Sequence, residues 1–179
     1  GDVGDMPVLS ATGGASGNPV TFASNTLSVC TVSGSTVTLL ISGTCTVTAD
    51  QAGNDDYNAA TQVTLDIGVA KADQTISGLA ADPAAGVVDG SSSLSATASS
   101  GLAVAFGSST PGVCTVAGST VSYLAAGTCT VTADQAGDDD YNAAPQVTLD
   151  ITVAKADQVI TDFIATPANG DVGDMPVLS

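Results

Sequence analysis

Apolar and polar residues alternate one for one over short runs of this chain. Cys45, Val47 and Ala49 interleave with Thr46 and Thr48. Val63, Leu65, Ile67 and Val69 interleave with Thr64, Asp66 and Gly68, and Leu94, Ala96 and Ala98 follow the same rule. Successive side chains of a strand point to opposite faces, so a period of two predicts half-buried β-strands. Turn chemistry punctuates the runs at Ser33-Gly34-Ser35, Ser42-Gly43-Thr44 and Gly53-Asn54-Asp55-Asp56. Between residues 71 and 154 strands are predicted near 74–79, 92–98, 103–107, 113–116, 120–124, 129–133 and 146–154. That many short strands in so few residues, with no helical window, predict an immunoglobulin-like sandwich. A solenoid would repeat at about 20–30 residues, and no such short period is visible.

The period that is visible is longer. Residues 29–74 return as residues 113–158, an offset of 84, with 38 of the 46 aligned positions identical. Leu9-Ser10-Ala11-Thr12 matches Leu94-Ser95-Ala96-Thr97, one residue out of phase with the rest. The decapeptide GDVGDMPVLS occupies both 1–10 and 170–179. Phased on the KADQ stretches at 71–74 and 155–158, the chain divides into three parts. Residues 1–70 form a domain lacking its first strand, 71–154 a complete domain, and 155–179 the first strand and start of the next. The expected architecture is all-β: tandem immunoglobulin-like β-sandwiches of about seven strands each, arranged end to end. A domain without its first strand presents an unpaired edge and an open core. Strand donation between subunits would repair it, although the tail decapeptide would then compete with residues 1–10. A cut through a continuous repetitive chain explains the overlap more simply. The sequence begins without Met and shows neither a signal peptide nor a transmembrane span, and a fragment of a longer or processed protein need not show either.

Composition narrows the function classes. Aromatic residues are only 3% of the chain and Trp and His are absent, so cores of Val, Leu, Ile and Ala are expected, without deep ligand pockets. Acidic residues number 18, all of them Asp, against Lys71 and Lys155, for a formal net charge of −16. Such a chain is repelled by nucleic acid and by anionic membranes. With no His, Arg or Glu, the common general bases and oxyanion clamps are missing, and the chain reads as a non-enzyme.

The segments VCTVxGSTVxxL, GTCTVTADQAGxDDYNAA and VAKADQ resemble the cysteine-containing bacterial immunoglobulin-like repeats of large surface-exposed or secreted proteins. The resemblance covers essentially the whole chain. It implies the sandwich fold and a spacer or stalk role, and the density of Asp at Asp55-Asp56 and Asp138-Asp139-Asp140 departs from it.

Four cysteines fall as two equally spaced pairs, Cys30/Cys45 and Cys114/Cys129. An intradomain disulfide in each repeat would stabilise by about 3 kcal/mol and implies an oxidising compartment. Metal thiolates or a redox pair are the alternatives, but two Cys per domain without His fall short of a zinc set, and the spacing is not CxxC. Tyr57 and Tyr141, just ahead of each last strand, are expected to act as structural tyrosine corners. The outward rows Thr44/Thr46/Thr48 and Thr128/Thr130/Thr132 are expected on a solvated strand face. The two lysines are expected in surface ion pairs with neighbouring acids. In standard strand order, the loop with Asp138, Asp139 and Asp140 meets Asp2 and Asp5 of the preceding domain and Asp73 of the linker. Those oxygens are candidate Ca²⁺ ligands at the junction, set against solvated turn acids.

The function expected from all this is mechanical: a disulfide-stapled spacer in an extracellular or cell-surface bacterial fibre or adhesin stalk. Its partners would be neighbouring copies of the same repeat, with no nucleic acid, no membrane insertion in this segment and no small-molecule ligand. Two alternatives stay open, a surface module binding carbohydrate or protein and a filament subunit assembling by strand donation.

Overall fold

The alternating runs form strands, and the strands form two sets with separate cores. The computed structural model describes residues 1–166 and 177–178. The first set comprises β1 (Val20–Ser24), β2 (Cys30–Ser33), β3 (Thr36–Leu39), β4 (Gly43–Gln51) and β5 (Val63–Val69). The second comprises β6 (Ile76–Asp82), β7 (Gly86–Val87), β8 (Ser91–Ala98), β9 (Ala105–Ser108), β10 (Cys114–Ala117), β11 (Thr120–Tyr123), β12 (Gly127–Asp134) and β13 (Val147–Ala154). A two-residue pair, β14 (Ala165–Thr166) and β15 (Val177–Leu178), follows. No helix occurs among the described residues, as expected for a chain rich in Asp, Thr, Ser and Gly.

In the second set one sheet has the order β6-β8-β11-β10 and the other β7-β13-β12-β9. This is the arrangement of an immunoglobulin sandwich: the first, second, fifth and fourth strands face the third, sixth and seventh. The short β7, which the alternation did not announce, lies parallel to β13 through Val153↔Gly86 and Ala154↔Val87. Inward residues of both sheets form the core: Leu94, Val121 and Tyr123 from one, Val131, Ile151 and Val153 from the other. Cys114 and Cys129 are bonded between β10 and β12, and so tie the two sheets together.

The first set repeats this plan with pieces reduced. Its three-stranded sheet β1-β4-β5 matches β9, β12 and β13, and the hairpin β2-β3 matches β10 and β11. Where β7 and β8 would lie there are only isolated bridges, Asp2↔Ala70 parallel and Val8↔Thr36 antiparallel. Residues 1–19 provide no counterpart of β6. A core of Val37, Leu39, Val47 and Val69 survives around the Cys30–Cys45 bond. The sheet above it is open, with Val63 65% and Leu65 55% exposed. Their counterparts Val147 and Leu149 are half-buried, because β6 packs across that face of β13.

The expected opening of a further domain at 155–179 lies partly at 167–176 and 179, outside the described residues. What is described matches β6 and β8 in register: Ala165↔Leu178 and Thr166↔Val177 sit 84 residues beyond Ala81↔Leu94 and Asp82↔Ser93.

Candidate functional site

The two strand sets meet through one turn, 135–142, between β12 and β13. Gly137 starts it at φ +77°, a region in which side-chain-bearing residues are uncommon. A Cβ there would lie 2.3 Å from the carbonyl oxygen of Tyr141, so the tight closure requires glycine. Asp138 then fixes the turn with its carboxylate, which accepts the backbone N–H groups of Asp140 and Tyr141 at 2.9 Å each. The same turn recurs before β5, where Asn54 Oδ1 accepts the N–H groups of Asp56 and Tyr57 at 3.0 and 2.9 Å. A neutral amide and a carboxylate do the same work at equivalent positions. The acidic residue is therefore a turn former here, in the manner of Asx turns.

So shaped, the turn grips the segment joining the two sets. Ala72 N–H donates to Asp140 O at 2.8 Å and Asn142 N–H donates to Ala72 O at 2.9 Å, forming a short parallel bridge between Ala72 and Tyr141. Asn142 Nδ2 donates to Asp73 Oδ1 at 2.9 Å, and Lys71 Nζ to the carbonyl of Asp138 at 2.5 Å. Lys71 thus bonds a backbone carbonyl, where an acid's carboxylate was expected. Beneath the bridge Gln74 is buried, with Nε2 donating to Gln135 Oε1 at 2.6 Å and to Asn142 O at 2.7 Å. Its Oε1 accepts Ser100 Oγ at 2.5 Å. Full pairing of a buried amide is what makes its burial tolerable.

The turn also reaches the first set. Ser42, in the bend between β3 and β4, donates its N–H to Asp140 Oδ1 at 2.9 Å and its Oγ–H to Asp139 O at 2.6 Å. Asp2 lies beside the joining segment through its bridge to Ala70, and Asp5 Oδ2 accepts the N–H of Asp2 at 2.9 Å. The topology therefore brings the 138–140 turn to the linker and to the edge of the first set. It does not gather carboxylates: among the described residues no three acidic, Cys or His side chains are grouped to hold a metal ion. The carboxylates of Asp5, Asp73, Asp138 and Asp140 each hold an N–H of the protein itself. As placed, this donor set does not fit Ca²⁺, which takes six to eight converging oxygens.

The tyrosine expectation needs correction. Tyr57 is 51% exposed and Tyr141 half-buried, and among the described residues neither phenol has a hydrogen bond. The turn is closed by backbone and Asx bonds, which leaves the rings no corner to lock. The buried phenol is Tyr123, whose OH lies 2.6 Å from Ser92 Oγ while that oxygen also donates to Pro83 O at 2.7 Å. The threonine rows also differ from expectation. Thr46 and Thr130 are outward, each donating to an Asp on the neighbouring strand at 2.6 Å, but Thr48 is buried between Ala23 and Thr64.

Two features escaped the sequence. Ser42 sits in a bend flagged only as a turn. Gln74 and Gln135 fall in repeated motifs, and a Gln held at a fixed place in two repeats was the available signal. The open core expected of residues 1–70 takes the form of an apolar groove of about 260 Å³ over the sheet of the first set, lined by Leu9, Val20, Phe22, Val47, Val63 and Leu65.

No family model matches this chain, and no curated protein matches it. Among solved structures it is similar to domains 1–6 of the surface layer protein SbsC, at 19% identity and TM-score 0.32 over 87% of this chain and 22% of that one. It is also similar to a C-terminal fragment of intimin solved with the intimin-binding domain of its translocated receptor, at 21% identity and TM-score 0.34 over 78% and 53%. Drosophila N-cadherin EC1-4 matches at 11% identity and TM-score 0.34 over 92% of this chain and 48% of that one. The chain thus spans about a quarter to a half of these structures. At such TM-scores the likeness carries no inference about activity, and the fold rests on the strand order itself.

Proposed function

We propose that this chain is a non-catalytic spacer segment of an extracellular or cell-surface structural or adhesion protein, its two strand sets acting as tandem immunoglobulin-like domains, 1–70 and 71–154. The observation that carries this is the hydrogen-bonded joint. Lys71, Ala72 and Asp73 of the connecting segment, and Ser42 of the first set, all bond the same turn of the second. A flexible linker would leave those groups to water, and interdomain motion is the default where so little surface is shared. Here the default is opposed by the bonds that pin the connecting segment to that turn and by the two from Ser42 that cross between the sets, each worth about 0.5–1.5 kcal/mol net where water is excluded and less at the surface.

Two further observations support the reading. Both disulfides join the two sheets of a sandwich, and such bonds persist in oxidising compartments. The two repeats also share 38 of 46 residues between 29–74 and 113–158, which suits a module used for length rather than for a diversified binding site. Neighbouring copies of the repeat are the expected partners, and a carbohydrate- or protein-binding role gains no specific support.

Residual dipolar couplings of the chain test the joint. One alignment tensor should describe both strand sets in the parent protein. Two tensors should be needed in Ser42→Ala/Lys71→Ala, with each set's own couplings preserved. Two independent tensors in the parent protein would refute a stiff spacer.

A further inference from the structure

The two disulfides share an asymmetry that their equal spacing does not announce. Ser108 Oγ lies 3.3 Å and Thr110 Oγ1 3.6 Å from Cys114 Sγ, and Ser24 Oγ and Thr26 Oγ1 lie 3.2 and 3.6 Å from Cys30 Sγ. A disulfide sulfur carries no hydrogen, so in each contact the hydroxyl donates and the sulfur accepts. Both donors converge on the first cysteine of each repeat, and among the described residues no hydroxyl bonds Cys45 or Cys129.

These hydroxyls are held by the backbone and not by the sulfur. Ser108 Oγ accepts the N–H of Thr110 at 3.1 Å, and Thr110 Oγ1 accepts the N–H of Thr130 at 2.9 Å. Each oxygen is thus fixed as an acceptor and keeps its own proton for Cys114. Ser24 and Thr26 accept the N–H groups of Thr26 and Thr46 in the same way, at 3.1 and 2.9 Å. The pattern persists where the repeats otherwise differ. Residues 20–28 and 104–112 disagree at five of nine positions, including every immediate neighbour of the Ser and the Thr, yet both hydroxyl residues stay. The two cysteines also sit differently in the sandwich. Cys114 starts β10, an edge strand, whereas Cys129 lies in β12, between β9 and β13. No charged residue belongs to the core cluster around them.

We propose that the two cysteines have unlike parts in closing the bond: Cys114 is the thiol that attacks an external disulfide, and Cys129 is the thiol that resolves it. The hydroxyl positions do not depend on the S–S bond, so they face Cys114 in the reduced domain as well. There they donate to a thiolate, and hydrogen bonds to the charged form favour that form. Position points the same way, since the start of an edge strand opens locally at less cost than the middle of a sheet. In the first step the Cys114 thiolate bonds one sulfur of a low-molecular-weight disulfide and expels the other half as a thiolate. In the second, Cys129 gives its proton to solvent, attacks Cys114 Sγ and expels the remaining half. Two protein thiols and one external disulfide thus become one protein disulfide and two external thiols.

Two opposing trends set the size of the effect. A pair of donors that favours the thiolate about tenfold raises its population by that factor. A more stable thiolate is the weaker nucleophile, by about threefold for such a change, so the net gain in rate is about threefold. Easier opening of the edge strand adds to this at Cys114. The same Ser and Thr in the first repeat assign Cys30 the leading part and Cys45 the resolving one. This order of closure is independent of the spacer reading, which asks only that the bonds exist.

The whole chain carrying Cys129→Ala or Cys114→Ala keeps the Cys30–Cys45 bond and one thiol in the second set, which separates the two parts. Each protein is treated with 2-hydroxyethyl disulfide, a neutral probe chosen because a charge of −16 repels an anionic one, and the mixed disulfide is counted by mass spectrometry after acid quenching. Cys114 should react faster than Cys129 by more than about threefold. Adding Ser108→Ala/Thr110→Val to the Cys129→Ala protein should slow Cys114 about threefold, whereas Thr110→Ser, which keeps the hydroxyl, should leave its rate unchanged. Ser108→Ala alone retains the bond between Thr110 and Thr130 and should give an intermediate rate, which guards against a loss of fold in the double variant. Hydrogen exchange at the Cys114 amide, bonded to Thr110 O at 3.1 Å, should be alike in these proteins. A Cys129 that reacts as fast as Cys114 would overturn the order of attack. A Cys114 rate unmoved by loss of both hydroxyls, or one that merely tracks amide exchange, would overturn the role of Ser108 and Thr110.

Discussion

Removing one disulfide at a time, as Cys30→Ala/Cys45→Ala and Cys114→Ala/Cys129→Ala, should have unequal consequences although the two bonds are equivalent. Each closes the same sequence separation of 15 residues, and all four sulfurs are fully buried. The chain-entropy estimate for a loop of that length is about 3 kcal/mol. Truncating buried side chains adds a cavity cost of roughly 1 kcal/mol at these small residues. A domain of this size is stable by about 0.05–0.15 kcal/mol per residue, or roughly 4–12 kcal/mol. The second strand set can absorb such a loss. The first starts lower, because Val63 and Leu65 keep most of their surface in water. Full burial of such a side chain is worth about 1.5–3 kcal/mol, so the two together forgo roughly 2–3 kcal/mol.

Urea unfolding of the full chain, followed by limited proteolysis to locate the unfolded half, separates the cases. The Cys114→Ala/Cys129→Ala protein should keep a cooperative transition for residues 71–154, at a lower midpoint. The Cys30→Ala/Cys45→Ala protein should be cleaved within residues 1–70 without denaturant. Equal losses in the two variants, with both halves intact, would refute the claim that the uncovered sheet weakens the first set. A loss below about 1 kcal/mol in either would refute the loop-entropy argument itself.

Three other outcomes follow from the joint and the second core. Gly137→Ala, which places a Cβ 2.3 Å from a backbone oxygen at φ +77°, should cost roughly 1–3 kcal/mol and loosen the 138–140 turn, read as new exchange at the amides of Ala72 and Ser42. Tyr123→Phe should cost about 1 kcal/mol by urea denaturation, a small value because Ser92 Oγ keeps Pro83 O as a partner. Millimolar Ca²⁺ should raise the melting temperature no more than Mg²⁺ at equal ionic strength, since the joint's carboxylates hold protein N–H groups. A calcium-specific rise abolished by Asp138→Asn/Asp140→Asn would mean that the turn rearranges to gather them.

The parts of this molecule that were legible in its sequence are those whose signal is local and periodic. Alternation located seven of the eight strands of the second set, and β7 escaped because two residues cannot show a period. The disulfides were readable because equal spacing within a repeat leaves one sensible partner for each cysteine. The tyrosines misled because position in the chain was taken for burial, whereas Asn54 and Asp138 close their turns by backbone bonds and release the rings. The acids show a related limit of sequence: topology brings loops together, but a carboxylate already accepting an N–H is not aimed at a shared point. Convergence is a property of side-chain direction, which loop order does not encode.

The offset of 84 residues carries more than fold information, because it makes each repeat a control for the other. Leu39 replaces Tyr123 at one core position and both cores close around it, so the Ser92–Tyr123 hydrogen bond is an addition to the fold and not a condition of it. Leu65 and Leu149 occupy the same place in the same strand sequence, Val-Thr-Leu-Asp, and differ in exposure. Local sequence cannot account for that difference. What differs is whether a strand of the KADQ type lies across the face, as β6 does over β13. Burial in the last strand of the second repeat is thus set by residues some 70 positions away, and residues 1–70 hold no such strand.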